Sequence, residues 1–277
     1  MTAALAAALL AGGAVACGSE KGGKGDKAGD DLSPAAAVKK AARNSEELKS
    51  FSFRMKGQAP EDGAFQGEAS MNVEPLAMRM KLSAPKQGPD KVEMRLVDGG
   101  LYLGGGKPSP EADGKSWIKF DAKTLGKGAP NKPAPTSATG TAEQNPAAES
   151  ALLSGADDVE KVGEETIEGV ETTHYRGTVT LDQMRAELKE KDAKTRERQE
   201  KNIEKYEGMG LDKLSMDIWI DGDQHTKRFR TQGKADKGKL DMTITFFDVN
   251  KPVTVTAPPK KEVMDLAGMM KDAGGTR

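Results

Sequence analysis

KVEMRLVDGGLYLG, residues 91–104, alternates with a period of two: Val92, Met94 and Leu96 fall on one side, Glu93 and Arg95 on the other. Asp98-Gly99 stands where a tight turn is needed, and both residue types tolerate the positive φ that a two-residue hairpin demands. The stretch reads as two antiparallel strands, each with one apolar and one polar face. Outward along the chain the pattern recurs. SFSFRMKG (50–57) puts Phe51, Phe53 and Met55 on one face, and LAMRMKLSA (76–84) puts Met78, Met80 and Leu82 opposite Arg79 and Lys81. Further strands fit SWIKFD (116–121), VEKVGEETI (159–167), VETTHYRGTVTL (170–181), LSMDIWI (214–220), KRFRTQG (227–233), DMTITFFDV (241–249) and VTVTA (253–257). Asp221-Gly222 predicts a second tight turn. LGGGKPS (103–109) lacks the spacing of a phosphate loop and reads as a turn. Short turns between successive strands imply a largely antiparallel sheet.

Helices are few. Ser33-Pro34 supplies an N-cap and a first-turn proline, and Val38, Ala41, Ala42, Ser45 and Leu48 then share one helical face. NPAAESALLS (145–154) predicts a short helix capped by Asn145. Asp182 to Glu207 carries eight acidic and eight basic residues with sparse apolar positions, Met184, Leu188, Ile203 and Tyr206. It reads as one long solvated helix supported by pairs such as Glu187–Lys191 and Glu197–Lys201, without the seam a coiled coil needs. Residues 123–144, rich in Pro, Gly, Ala and Thr, read as a surface insertion. Val263, Leu266 and Met270 outline one weak amphipathic turn near the end.

The apolar strand faces carry an unusual number of methionines: Met55, Met78, Met80, Met94, Met216 and Met242. Branched aliphatic residues specify one packing better, whereas the flexible, polarizable methionine side chain adapts to ligands of variable shape. Simple gap-filling in a core poor in aromatics explains the same residues, and the sequence leaves both readings open.

The N-terminus raises a separate question, because Cys17 is the only cysteine of 277 residues. Residues 1–16 hold no charge and are mostly Ala, Leu and Gly, as in the apolar core of an export signal, and they are too short to cross a bilayer. Ala14-Val15-Ala16-Cys17 resembles a bacterial lipobox, which implies cleavage before Cys17 and acylation of Cys17. No Lys or Arg precedes the apolar run, so the natural start is expected upstream. Residues 17–32 read as the lipidated cysteine and a flexible polar tether, 33–262 as one domain and 263–277 as a tail.

Composition excludes several functions. Charged residues make up 31% of the chain with a formal net charge of -1, so no basic excess exists to serve a nucleic acid. His174 and His225, the only histidines, sit in a strand and beside a turn and read as packing or surface residues. HExxH, paired CxxC and GxSxG are absent, and no cofactor or metal is expected. The chain is not expected to be an enzyme.

Taken in order, the lipobox, tether, opening helix, SFSFRMKG, VEMRLVDGGLYLG, SWIKFD, IEGVETTHYRGTVTL, charged helix, LSMDIWIDGDQHTKRFR and DMTITFFDVNKPVTVTAPP resemble the actinobacterial LppX/LprG-type lipoproteins and the wider LolA-like lipid-carrier fold. The likeness spans residues 33–262. It implies an α+β fold: a curved antiparallel half-barrel of about ten or eleven strands with a few helices on the concave side. It further implies an apolar cavity holding a lipid or acylated ligand, and a monomer anchored by its acylated N-terminus on the outer face of the cytoplasmic membrane. Periodicity nominates Phe53, Met55, Met78, Met80, Leu82, Met94, Leu96, Met216, Ile218, Met242, Ile244 and Phe246 for the lining. A sensor or scaffold of the same fold, binding and regulating another envelope protein, is the alternative.

Overall fold

Ser33 accepts a hydrogen bond from the Ala36 amide at 3.4 Å, and Pro34 opens the helix it caps, α1 (Pro34–Glu46). Val38, Ala41, Ala42 and Ser45 of the expected face are buried, as is Leu48 just beyond the helix, and Ala37 joins them. In the computed structural model the described residues are 32–86, 91–109, 114–121, 152–190 and 192–265. The expected signal, Cys17, the tether up to Asp31, the insertion, the start of the helix at Asn145, and Leu266 and Met270 lie outside them.

Two meanders build the sheet. The first comprises β1 (Ser50–Ala59), β2 (Gly63–Asn72), β3 (Ala77–Ser83), β4 (Val92–Val97), β5 (Gly100–Ser109) and β6 (Lys115–Asp121). The second comprises β7 (Glu160–Ile167), β8 (Val170–Thr180), β9 (Lys213–Asp221), β10 (Thr226–Ala235) and β11 (Gly238–Phe247). β1 pairs with β11, so the meanders join at the centre, and β12 (Val263–Asp265) adds a short parallel edge beside β6. The order is β12-β6-β5-β4-β3-β2-β1-β11-β10-β9-β8-β7 in one curved sheet of twelve strands, one or two more than expected. Asp98 and Gly99, both at positive φ, make the expected turn between β4 and β5.

Five local expectations are corrected, and one strand, β2, was not expected at all. β2 escapes the period-two pattern because its apolar-face positions include Gly63, Gly67 and Ala69 beside Phe65 and Met71. Residues 103–109 continue β5 as an irregular strand instead of turning. The β9–β10 connection is a four-residue loop in which Asp221 Oδ1 accepts from the amides of Asp223 (3.1 Å) and His225 (2.9 Å), with Gln224 at φ 62°. VTVTA forms no strand. Residues 251–259 instead cross the polar face as a strap held by side chains: Ser50 donates to the Lys251 carbonyl, Asn72 to Val253 and Arg95 to Thr256. Pro252, Pro258 and Pro259 lack the amide hydrogens that a ladder requires. The strap delivers Val263–Asp265 to β12 where an amphipathic turn was expected.

The fifth correction concerns the long charged helix, which is two. Thr180 and Gln183 form a capping box at the start of α2 (Leu181–Glu187), a 3-10 turn follows at Leu188–Glu190, and α3 runs over Ala193–Gly208. The reversal has an apolar cause. Met184, Leu188 and Ile203 all reach one core, whereas an unbroken helix would separate Leu188 from Ile203 by about 22 Å along its axis. Arg185 ties the two helices through Glu200 (2.9 Å) and Glu207 (2.6 Å), and Glu197–Lys201 forms the expected pair at 2.8 Å.

Candidate functional site

Strand register sorts the apolar face into rows. One row reads Phe246, Phe53, Ala69, Met80, Met94, Leu103, Ile118, and the next reads Phe51, Met71, Met78, Leu96, Leu101, Phe120. These rows are buried from Phe246 to Met94 and from Phe51 to Leu101, and half-buried beyond, at Leu103, Ile118 and Phe120. Phe51, Phe53 and Phe246 form a three-ring cluster with centroids 5.9–6.2 Å apart, and all three are buried.

The row on the other side of Phe53 runs Ile244, Met55, Gly67, Leu82, Val92. Burial falls along it: Ile244 is 2% exposed, Met55 and Leu82 are half-buried, and Val92 is 52% exposed. Gly67 makes the dip in this row. A Cβ there would stand 3.3 Å from both Met55 and Leu82 and 2.8 Å from the Lys81 carbonyl. Met242 and Phe65, on the next row outward with Gly57, are likewise half-buried. The apolar face therefore opens at the Met55–Leu82–Val92 corner.

Over β8 to β10 the same face is covered by the chain itself. Leu153 packs where Gly177 lacks a side chain, Leu211 packs over Gly233, and α1 adds Val38 and Ala41 to the continuous core. Glycine here is a packing device: each leaves the depth that a leucine from the covering layer fills.

Of the twelve nominated residues, Phe53, Met78, Met80, Met94, Leu96, Met216, Ile218, Ile244 and Phe246 are buried in the core, and Met55, Leu82 and Met242 stand half-buried near the opening. Register places all twelve on one face. Sequence reasoning missed Phe65 and Gly67, because β2 went unread, and left Val92, Leu103 and Ile118 out of the lining. Their alternation with Gln66, Glu68, Glu93, Tyr102 and Lys119 was the available signal.

The opposite face is a lattice of charge. Arg230 donates twice to Asp241, at 2.8 and 2.7 Å, and Lys239 joins at 2.8 Å. The hydrogen bonds from Arg230 hold Asp241 well below the ordinary carboxylate range, overcoming the smaller upward push of burial. Burial pushes Glu93 up, but hydrogen bonds from Arg79 and Arg95 together win and hold it below its usual value. His174 is a packing residue, buried and stacked on Trp219 at 4.2 Å, with Nε2 2.7 Å from Asp217 Oδ1. His225 lies beside Asp221 in the β9–β10 loop. Among the described residues no cluster of His, Cys, Asp or Glu is arranged to hold a metal ion, and no helix is long and apolar enough to cross a membrane.

No protein-family profile matches the chain. It is 28% identical over 193 residues to an uncharacterised 31.2 kDa protein of Streptomyces griseus encoded in the rplA-rplJ intergenic region, covering 68% of this chain and 61% of that protein. It is 26% identical over 195 residues to a candidate lipoprotein of Streptomyces coelicolor, covering 68% of this chain and 55% of that one. The chain thus spans about three-fifths or less of the length of these relatives. Among solved structures, LprF from Mycobacterium bovis aligns over 81% of this chain and 96% of its own, at 13% identity and a TM-score of 0.53. That likeness shows the fold: the curved sheet with helices on its apolar face is the one that the LppX/LprG resemblance implied.

Proposed function

We propose that this chain is an envelope lipoprotein, anchored through acylated Cys17 on the outer face of the cytoplasmic membrane, that shelters a lipid or acylated ligand on its apolar sheet face. The observation that carries the reading is the row from Ile244 to Val92, which passes from full burial to open solvent without crossing a polar side chain. An acyl chain entering at Leu82 and Val92 would meet Met55, Gly67 and then the methionines of the neighbouring rows.

The energetics suit reversible carriage. A chain of about 16 carbons gains roughly 13 kcal/mol on leaving water at about 0.8 kcal/mol per CH₂, and it gains the same in a bilayer. A carrier must therefore match the bilayer without exceeding it. Methionine provides burial without demanding one ligand shape. The similarity to a candidate lipoprotein supports the anchor, and the LprF fold supports a sheet able to cover an apolar guest.

Native mass spectrometry of protein purified without detergent tests the ligand. Co-purifying lipid, or uptake of a fluorescent fatty acid that Leu82→Arg abolishes, is the expected result. A ligand-free protein that takes up no acyl probe overturns the carrier reading. Mass analysis of the N-terminal peptide tests the anchor separately: Cys17 should carry acyl mass that Cys17→Ser lacks.

A further inference from the structure

The polar face carries a second feature that lipid carriage does not use. A trough of about 610 Å³ opens across β3, β2, β1, β11 and β10. Six cationic side chains line it, Arg54, Lys56, Arg79, Lys81, Lys91 and Arg228, against two carboxylates, Glu68 and Glu168. The chain as a whole has a formal net charge of -1, so this excess is local. Internal pairing accounts for only part of it. Arg54 engages Glu168 at 2.6 Å and Glu68 at 3.6 Å, and Arg79 engages Glu93 at 2.7 Å. Lys56 and Lys81 are exposed and have no ion-pair partner among the described residues. Serine and threonine hydroxyls line the same trough and can donate to phosphate oxygens.

We infer that this trough docks the domain on an anionic bilayer, with lipid phosphates seated among Lys56, Lys81 and the neighbouring arginines. The inference rests on the proposed anchoring at Cys17. The fourteen residues between Cys17 and Leu32 span at most about 50 Å when extended, so acylation at Cys17 would tether the domain to the membrane whose headgroups the trough would meet. Charge complementarity selects the partner: each basic side chain near an anionic surface strengthens attachment roughly fivefold. Met55, Gly67 and Leu82 also border the trough, so attachment here sets the bilayer beside the opening at Leu82 and Val92.

The test uses the full chain carrying Cys17→Ser, so that acylation plays no part, sedimented with vesicles of phosphatidylcholine alone or mixed with phosphatidylglycerol. The expected result is a preference for anionic vesicles of at least about tenfold at low salt, suppressed at high salt and lost in Lys56→Glu/Lys81→Glu. Lys56→Gln/Lys81→Gln, showing an intermediate loss, repeats the test without charge reversal. Equal binding to both vesicles, no binding to either, or a preference that survives both double variants overturns the docking. A preference for an acidic protein over the anionic vesicles would do so as well. None of these outcomes bears on whether Cys17 is acylated or the apolar face holds lipid.

Discussion

Arg54 on β1 donates to Glu168 at 2.6 Å, although β11, β10 and β9 separate β1 from β8, at whose turn Glu168 stands. Four strand spacings amount to about 19 Å in a flat sheet. Twist and curvature fold the β7–β8 corner over the polar side of the sheet, while helices cover the apolar side. The pair records this curl more than it causes it. Both side chains are partly exposed, so a double-mutant cycle with Arg54→Ala and Glu168→Ala is expected to give a coupling of about 0.2–1 kcal/mol by denaturant titration. A coupling of several kcal/mol would make the ion pair the clasp that holds the curl.

The aromatic cluster is the stronger element. Phe53 is buried between Phe51 and Phe246, where β1 meets β11 and the two meanders join. Phe53→Ala is expected to cost about 3–5 kcal/mol, through lost burial and the cavity left behind. For a domain of this size, calorimetry should show the melting temperature falling by roughly 10 °C.

Asp217 presents a different kind of buried contact. Its Oδ1 meets His174 Nε2 and accepts from Arg176 Nε, each at 2.7 Å, while its Oδ2 lacks a partner among the described residues. Removing the carboxylate strands the buried His174 ring nitrogen, while Arg176, about half exposed, can turn to water. Asp217→Ala is expected to destabilise by about 1–3 kcal/mol in denaturant melts, whereas Glu197→Ala, on the exposed surface of α3, should change stability by less than about 0.5 kcal/mol.

Acid should weaken the contacts that Asp241 makes on the polar face. Arg230 holds its folded pKa well below the unfolded value of about 3.9. A depressed folded pKa means that the unfolded state binds the proton more readily, so the stabilisation is fully present above the unfolded value and is lost as pH falls below it. Asp241→Asn is therefore expected to lower stability at neutral pH by on the order of 1 kcal/mol and to flatten the loss below pH about 4. Parallel melts of both proteins across that range check the sign: a steeper acid loss in the variant would contradict it.

Periodicity made the sheet legible wherever a strand carries large side chains on its inner face, as with Met78, Met80 and Leu82. It failed on β2, where Gly67 and Ala69 occupy those positions, because their importance lies in what they leave vacant beside Met55 and Leu82. VTVTA misled for the opposite reason. Its alternation is regular, but the flanking prolines and the side-chain anchors at Ser50, Asn72 and Arg95 lay it across the sheet instead of within it. The break between α2 and α3 follows from the need to bury Leu188 and Ile203 together, a tertiary constraint that charge pairing along one helix does not reveal. The candidate lining was readable as a face but not as a gradient: burial of Ile244 and exposure of Val92 depend on what covers each end of the row.

The methionines decide between a ligand surface and ordinary filling. Met78, Met80 and Met94 are buried neighbours across β3 and β4, one or two rows from the opening at Leu82. Leucine occupies nearly the same volume, so each Met→Leu change is expected to cost less than about 1.5 kcal/mol. What leucine removes is a rotatable bond and a polarizable sulfur, the properties that let one surface accept several shapes. If these residues border a lipid site, Met78→Leu/Met80→Leu/Met94→Leu should remain folded yet retain a narrower range of acyl lengths, read by mass spectrometry of extracted lipid. An unchanged lipid profile at unchanged stability would make the three residues core filling and confine the site to Met55, Leu82 and Met242.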